Sequence, residues 1–433
     1  MQPASHLTAI YQKEARGVDL RCTVLGTYKL SLLQHRDPDD MKEFLYDLVM
    51  DASVPIEILA LNNTKIVRGF LNVLQKALDT LRSQSNHSDV RMLLSRTEEI
   101  LRHVSYKADI LPSILFVRDI EVIGMHPVTG GGWSDVWKGT LRGQEVALKV
   151  LRDYHVIDEG RKACLRKRFR REALIWRQLR HPNIHSFLGI FEGLHNPSLV
   201  SPWRSKGHLL DFLHSPSGRK YDRAMILSEI ASALAYLHLL TPPLVHGDIK
   251  AANVLVDDRN RPCLVDFGIS KFVRPAAPGP PAGNQNDLRS AAAPQFRQAI
   301  ECVPATMTQT SLWHGTLRWM PPEAFTGVFH GSTAGDMYSF GCLCLEVYTL
   351  EHPWREEPSE VAIITRCLAG ERPVRPPQVP DEVWTIVKMV WQQDPGERQT
   401  APWVEWLLAG ISDQYPEATS VLADDQPAIR LDE

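Results

Sequence analysis

The feature that most limits the fold of this chain is a change of texture near residue 112. Short strand-like runs begin there, Ile114–Val117, Glu121–Gly124, Asp135–Lys138 and Glu145–Val150, with glycines between them. Runs of this length broken by glycine carry the signature of strands. After residue 205 the apolar residues recur at helical spacing, in Leu227, Ile230, Ala231, Leu234 and Leu237 and again from Met337 to Leu350. Strands followed by helices make an α+β plan of two lobes, the first β-rich and the second α-helical. Before residue 112 the texture is helical throughout. Met41, Phe44, Leu45, Leu48 and Val49 form one apolar stripe. Val67, Phe70, Leu71, Leu74, Leu78 and Leu81 form a second, and Val90, Leu93, Leu94, Thr97, Leu101 and Val104 a third. Asn63-Thr64 and Ser88-Asp89 are the expected N-caps of the last two. This small all-α region holds no cluster of ligands or nucleophiles, which suits an accessory or partner-binding module, either bundled or laid against a neighbouring domain.

Composition narrows the class. A chain of 433 residues exceeds one ordinary core, so two or three folding units are expected. Hydrophobic content of 44% and charged content of 23% are those of a soluble globular protein. A net charge of −3 gives no electrostatic case for nucleic acid or an acidic membrane. Seven cysteines without a C-x-x-C pair fit a reducing compartment. The N-terminal residues lack the apolar core of a signal peptide, and no run is long enough to span a bilayer. A soluble, cytoplasmic protein is expected. Arg274 to Gln295, rich in proline, glycine and alanine, cannot support a core.

Residues 245–256, VHGDIKAANVLV, squeeze polar groups between two apolar runs, and buried charge is costly unless paired. Asp248, Lys250 and Asn253 stand there, and Asp266 follows another apolar run in Val265-Asp266-Phe267-Gly268. Asn253 and Asp266 supply hard oxygen ligands of the kind Mg²⁺ takes while it holds phosphates. Asp248 stays available to orient a hydroxyl and accept its proton. Earlier in the chain, Gly130, Gly131 and Gly132 lie between two strand-like runs. Alone they are more often a plain hairpin turn than a loop whose N–H groups face phosphates. Val146-Ala147-Leu148-Lys149 ends an apolar strand on a lysine that needs an anionic partner, and Glu172 in RKRFRREALIWRQL is a candidate. Taken in order, these groups are the parts that phosphoryl transfer requires.

From about Val122 to Leu408 the chain resembles the eukaryotic protein kinases. HPNI at His181–Ile184 and GTLRWMPPE are most similar to the tyrosine kinase-like group and its many members in mushroom-forming fungi. The resemblance implies ATP and Mg²⁺ as cofactors. It makes Asp248 the catalytic base, Lys149 the ligand of the α- and β-phosphates with Glu172 as its partner, and Asn253 and Asp266 the metal ligands. Gly130, Gly131, Gly132, Val136, Ala147, Ser201, Pro202, Arg204 and Leu255 would complete the ATP site. Ser201 falls at the gatekeeper position, and the adenine would bond the Pro202 carbonyl and the Arg204 N–H. Lys250 and Thr316 match a serine/threonine pattern. His246, Phe267, Gly268, Glu323, Asp336 and Arg398 take structural places, with Asp336 bracing the catalytic loop and Arg398 pairing with Glu323.

The resemblance implies protein substrates, and the N-terminal helices would recruit a protein partner. The expected boundaries are 1–111 for the helical region, 112–412 for the kinase domain and 413–433 for a tail. Within the domain the lobes would meet at residues 204 and 205, with an insert at about 274–303. Two other readings compete: an ATP-binding pseudokinase scaffold, and a small-molecule phosphotransferase of the aminoglycoside kinase type, for which H-G-D-x-x-x-x-N is also a signature. Lys250, Asp266-Phe267-Gly268, Gly315-Thr316 and Pro322-Glu323 favour the protein kinase over the latter. Three departures stand out. Thr129 and Ser134 replace two loop glycines, Pro321 replaces an alanine, and Gly247 replaces the arginine that usually precedes the catalytic aspartate. Without that charge the segment bearing Thr306, Thr308, Thr310 and Ser311 should depend less on phosphorylation, with Lys271 and Arg318 as nearby substitute cations. The basic run from Arg161 to Arg171 is the solvated face of the Glu172 helix or, less simply, a nuclear signal.

Overall fold

Asn63 starts a helix in the expected way: its side-chain oxygen accepts the N–H groups of Lys65 and Ile66 at 3.1 and 3.3 Å. The computed structural model describes residues 45–46, 54–60, 63–82, 88–130, 134–152, 158–273, 316–326 and 331–412. Most of the first predicted helical stripe therefore lies outside the described residues, as do Gly131, Gly132, the segment 274–315 and the tail. The chain divides into two compact units, one of Met1–Leu174 with Leu188–Val200 and the other of Ile175–Phe187 with Ser201–Glu433.

In the first unit, helices α1 (Val54–Ala60), α2 (Thr64–Arg82) and α3 (Ser88–Ala108) pack on one another. The predicted stripes are their contact faces: Phe70, Leu71, Leu74 and Leu78 of α2 and Leu101 and Val104 of α3 are buried, together with Leu45 and Ile58. Arg82 of α2 pairs with Glu98 of α3. A six-stranded antiparallel sheet follows, built from β1 (Ile120–Ile123), β2 (Thr129–Gly130), β3 (Ser134–Leu141), β4 (Gln144–Leu151), β5 (Gly189–Phe191) and β6 (Ser198–Pro202). Its order is β1-β3-β4-β6-β5, with β2 beside β3. Val146 and Leu148 of β4 are buried with Ile120 and Val200, and Trp137 packs against them. The alternation of strand side chains then puts Ala147 and Lys149 on the other face.

One predicted strand is different. Ser113–Leu115 forms a single 3-10 turn, and Phe116 makes only an isolated bridge to Ile190. Asn72 of α2 holds this turn from both sides, accepting the Ser113 N–H at 2.6 Å and donating to its hydroxyl at 2.7 Å. A side chain 41 residues away thus overrides local strand propensity.

Helix α4 (Glu159–Gln178) runs across the boundary between the units at Leu174. In the second unit lie α5 (Leu209–His214), α6 (Arg223–His238), α7 (Thr333–Thr349), α8 (Glu360–Leu368), α9 (Asp381–Val390) and α10 (Ala401–Ser412). Helix α6 packs on α10, and α7 on α9. Every residue of α7 from Gly335 to Val347 is buried, so this helix forms the centre of the unit. Two short ribbons complete it: β7 (Leu244–Val245) with β10 (Lys271–Phe272), and β8 (Val254–Val256) with β9 (Pro262–Leu264).

Candidate active site

The first unit brings together Lys149 and Glu172. The lysine Nζ donates to the glutamate Oε1 at 2.7 Å, with the glutamate side chain only 8% exposed. Register explains the neighbours of the lysine. Val136 lies opposite Lys149 and Lys138 opposite Ala147, so Val136, Ala147 and Lys149 share one face of the β3–β4 pair. Gly130 ends β2. A Cβ there would lie 2.3 Å from Arg152 Nη2, so the arginine of the Arg152–Asp135 ion pair would have to move aside for a side chain.

The second unit carries the rest of the predicted set. The loop from His246 to Lys250, between β7 and a 3-10 turn at Ala251–Asn253, is irregular backbone, and buried irregular backbone must have its polar groups satisfied. Asp336, on α7, accepts the N–H of His246 and of Gly247, both at 2.8 Å, and bonds His238 Nε2 at 3.0 Å. His246 Nδ1 accepts the Asp248 N–H at 3.2 Å, so its Nε2 carries the proton and donates to the Val265 carbonyl at 3.1 Å. The Phe267 ring stacks edge-on to His246 at 5.2 Å and lies 6.2 Å from Trp176, which in turn lies 5.5 Å from Phe187. This aromatic row fixes the Asp266-Phe267-Gly268 turn. Asp266 itself stands at φ 67, uncommon for a residue with a side chain, and its Oδ1 accepts the Gly268 N–H at 3.2 Å.

Around Asp248 the groups converge. Its Oδ2 accepts from Asn253 Nδ2 at 2.7 Å and Lys250 Nζ at 2.9 Å. Lys250 also donates to the Thr316 hydroxyl at 2.8 Å. Asn253 Nδ2 reaches the Asp248 carbonyl too, at 2.8 Å, which turns the amide oxygen of Asn253 away from the aspartate. Asp248 Oδ1 is buried and has no hydrogen-bond partner among the described residues. A carboxylate oxygen left in this state is suited to a hydroxyl donor supplied from outside. At Gly247 the backbone takes φ 84, so the glycine there relieves the left-handed strain that a side chain would impose.

Ser201 is buried at the end of β6. The Pro202 carbonyl accepts from His185 Nε2 at 3.1 Å, which leaves it one lone pair. Burial pushes the His185 imidazole down to about 3, so the ring is neutral. Arg204 donates from Nε to the other ring nitrogen at 3.3 Å, and Leu255 lies half-buried on β8. Glu323 and Arg398 form a two-pronged pair at 2.7 Å on each side. Arg318 donates from Nη1 to the carbonyls of Trp354 and Glu357 at 2.7 and 3.0 Å, which fixes the direction of its side chain.

One anchor escaped the sequence reading. Glu346, on α7, accepts the Ala251 N–H at 2.9 Å and the Trp319 indole N–H at 2.7 Å. Burial pushes its carboxyl up to about 7, against the pull of those donors. The available signal was a single carboxylate inside the apolar run FGCLCLEVY. Trp176 was missed as well, although it lies one helical turn beyond Glu172.

A β-sheet unit with a lysine–glutamate pair, followed by a helical unit with the Asp248, Asn253 and Asp266 set, is the two-lobed plan of the protein kinases. The family model of the protein kinase domain matches residues 125–406, and the chain belongs to the protein kinase family. It is 29% identical over 292 residues to the serine/threonine-protein kinase CTR1 of Arabidopsis thaliana, covering 65% of this chain and 30% of that one. It is 30% identical over 274 residues to the probable serine/threonine-protein kinase drkB of Dictyostelium discoideum, covering 62% and 34%. The chain thus spans about a third of the length of these curated relatives. Among the described residues no helix is long and apolar enough to cross a membrane.

Proposed function

We propose that this chain transfers the γ-phosphate of ATP to serine and threonine hydroxyls of protein substrates. The observation that carries the reading is the buried, unpartnered Oδ1 of Asp248 beside Lys250, Thr316 and Asn253. The family uses ATP with Mg²⁺, and the bound metal offsets the charge of the phosphates. Asn253 and Asp266 are the residues that would hold it, the amide oxygen of Asn253 being turned away from Asp248. Asp248 orients the acceptor hydroxyl and takes its proton as the new O–P bond forms and the bond to the β-phosphate oxygen breaks. Lys250, held by Thr316, offsets negative charge next to the acceptor. Lys149 positions the α- and β-phosphates while Glu172 fixes its direction. Val136, Ala147, Ser201, Pro202, Arg204 and Leu255 would hold the adenine end. A kinase domain at 112–412, preceded by an accessory region at 1–111 that binds a protein partner in the cytoplasm, completes the proposal.

The test is transfer from labelled ATP with Mg²⁺ to a generic protein substrate, followed by phosphoamino-acid analysis. Phosphoserine and phosphothreonine are the expected products. Mainly phosphotyrosine would overturn the specificity, ATP binding without transfer would favour a scaffold, and transfer only to small amines or alcohols would favour the other phosphotransferase class.

A further inference from the structure

Helix α4 is gripped on both sides. Glu172 meets Lys149 on one face. Arg170 precedes it by two residues, about 200° around a helix, and so points the opposite way. There it forms an ion pair with Asp109, its own side chain only 16% exposed.

Asp109 sits on a rigid mount. Helix α3 ends at Ala108, and Asp109 follows in the left-handed conformation at φ 61. The Ile110 N–H bonds the Ser105 carbonyl at 3.2 Å, and the Ser105 hydroxyl returns the bond to Ile110. This is the closure in which glycine is the usual left-handed residue. Aspartate is, with asparagine, one of the few side chains that enter this conformation readily, so the turn presents its carboxylate at little backbone cost.

The surroundings magnify the role of the carboxylate. A cavity of about 320 Å³ is lined by Tyr106, Lys107 and Asp109 from the end of α3 and by Ala163, Arg166, Lys167 and Arg170 of α4. Asp109 is the one carboxylate in a lining with four cations. Without it, every charged side chain of that lining would be a cation.

We propose that Asp109 and Arg170 are positioning residues through which the N-terminal helices hold α4 at the rotation that presents Glu172 to Lys149. The proposal rests on the kinase reading. Turning α4 about its axis would break both pairs together, so the N-terminal region acts on transfer through Glu172. Asp109→Asn, which keeps a side chain tolerant of the left-handed conformation, should lower kcat/KM about threefold to fivefold, the scale of one partly exposed ion pair. The swap Asp109→Lys with Arg170→Glu should recover activity to within about twofold of the starting chain, where either change alone loses more.

The deciding experiment uses the full chain and has two readouts. Amide hydrogen exchange of residues 159–174 should quicken in Asp109→Asn, while exchange in α7 stays as it was. In a Glu172→Gln background the Asp109→Asn change should have almost no further effect on kcat/KM. A merely structural pair would give a loss that multiplies with Glu172→Gln, or a general fall in melting temperature without selective exchange in α4. Either result, or a swap that folds and fails to recover, overturns the proposal. If the unaltered chain transfers no phosphate, the kinase reading fails, while exchange in α4 still decides the clamp.

Discussion

The strand and helix that carry Lys149 and Glu172 reach order differently from the loop that carries Asp248. The lysine and glutamate stand on regular elements whose backbone is satisfied within the sheet and the helix, and one ion pair joins them. The loop has no ladder of its own. Its N–H groups at His246, Gly247 and Ala251 are taken by Asp336 and Glu346, two carboxylates of one buried helix 89 to 95 residues further along. Removing a partner from the first region should therefore cost function before structure. In the second region, an anchor lost costs structure first.

Asp248→Asn tests the loop residue whose Oδ1 is proposed to take the proton, while keeping an oxygen for Asn253 and Lys250. It should lower kcat about a hundredfold to ten-thousandfold with ATP affinity nearly intact, the scale of a lost general base. Retention of most activity in a rate assay at saturating ATP would break the assignment. Asp336→Ala strips the acceptor from the loop N–H groups and should destabilise the protein by about 3 kcal/mol, read from denaturant unfolding. Glu172→Gln is the counterpart in the regular region. It should lower kcat/KM about tenfold, or ~1.4 kcal/mol of barrier, with a melting temperature within a few degrees of the starting chain. An equal loss of stability in Glu172→Gln and Asp336→Ala would erase the distinction between the regions.

The smallest effect is one of pH. With its carboxyl raised from 4.5 to about 7, Glu346 contributes stability that is complete below 4.5 and is lost as the pH rises to about 7. The melting temperature of Glu346→Gln should therefore gain on that of the unaltered chain across this window and hold a constant difference above it. A difference that shrinks with rising pH would show that the carboxylate is bound ionised.

The same contrast decides what could be read from the sequence. Lys149 at the end of an apolar strand and Glu172 in a helical run could be placed on their elements, as the stripes of α2 and α3 could, but their pairing was readable only within the ordered set of motifs. Asp248, Asn253 and Asp266 were readable only as a set in order, because a loop has no period. That Asp336 braces the loop came from resemblance, and Glu346 was not foreseen at all. Both act across long sequence separations, which no local pattern encodes. The Ser113–Leu115 turn failed as a strand through the same cause, a distant asparagine side chain.

Gly247 has a further consequence, in the history a sequence like this can have. A Cβ built at this position lies no closer than 3.4 Å to Ile269 Cδ1, so space does not forbid a side chain. The backbone at φ 84 does, at about 1–2 kcal/mol for an ordinary residue. An arginine introduced here would bring that strain at once, and its benefit would come only after a phosphate arrived to pair with it. Substitution by arginine would thus pass through a less stable protein, while a return to glycine would relax the loop directly. The position works as a ratchet, easier to enter than to leave.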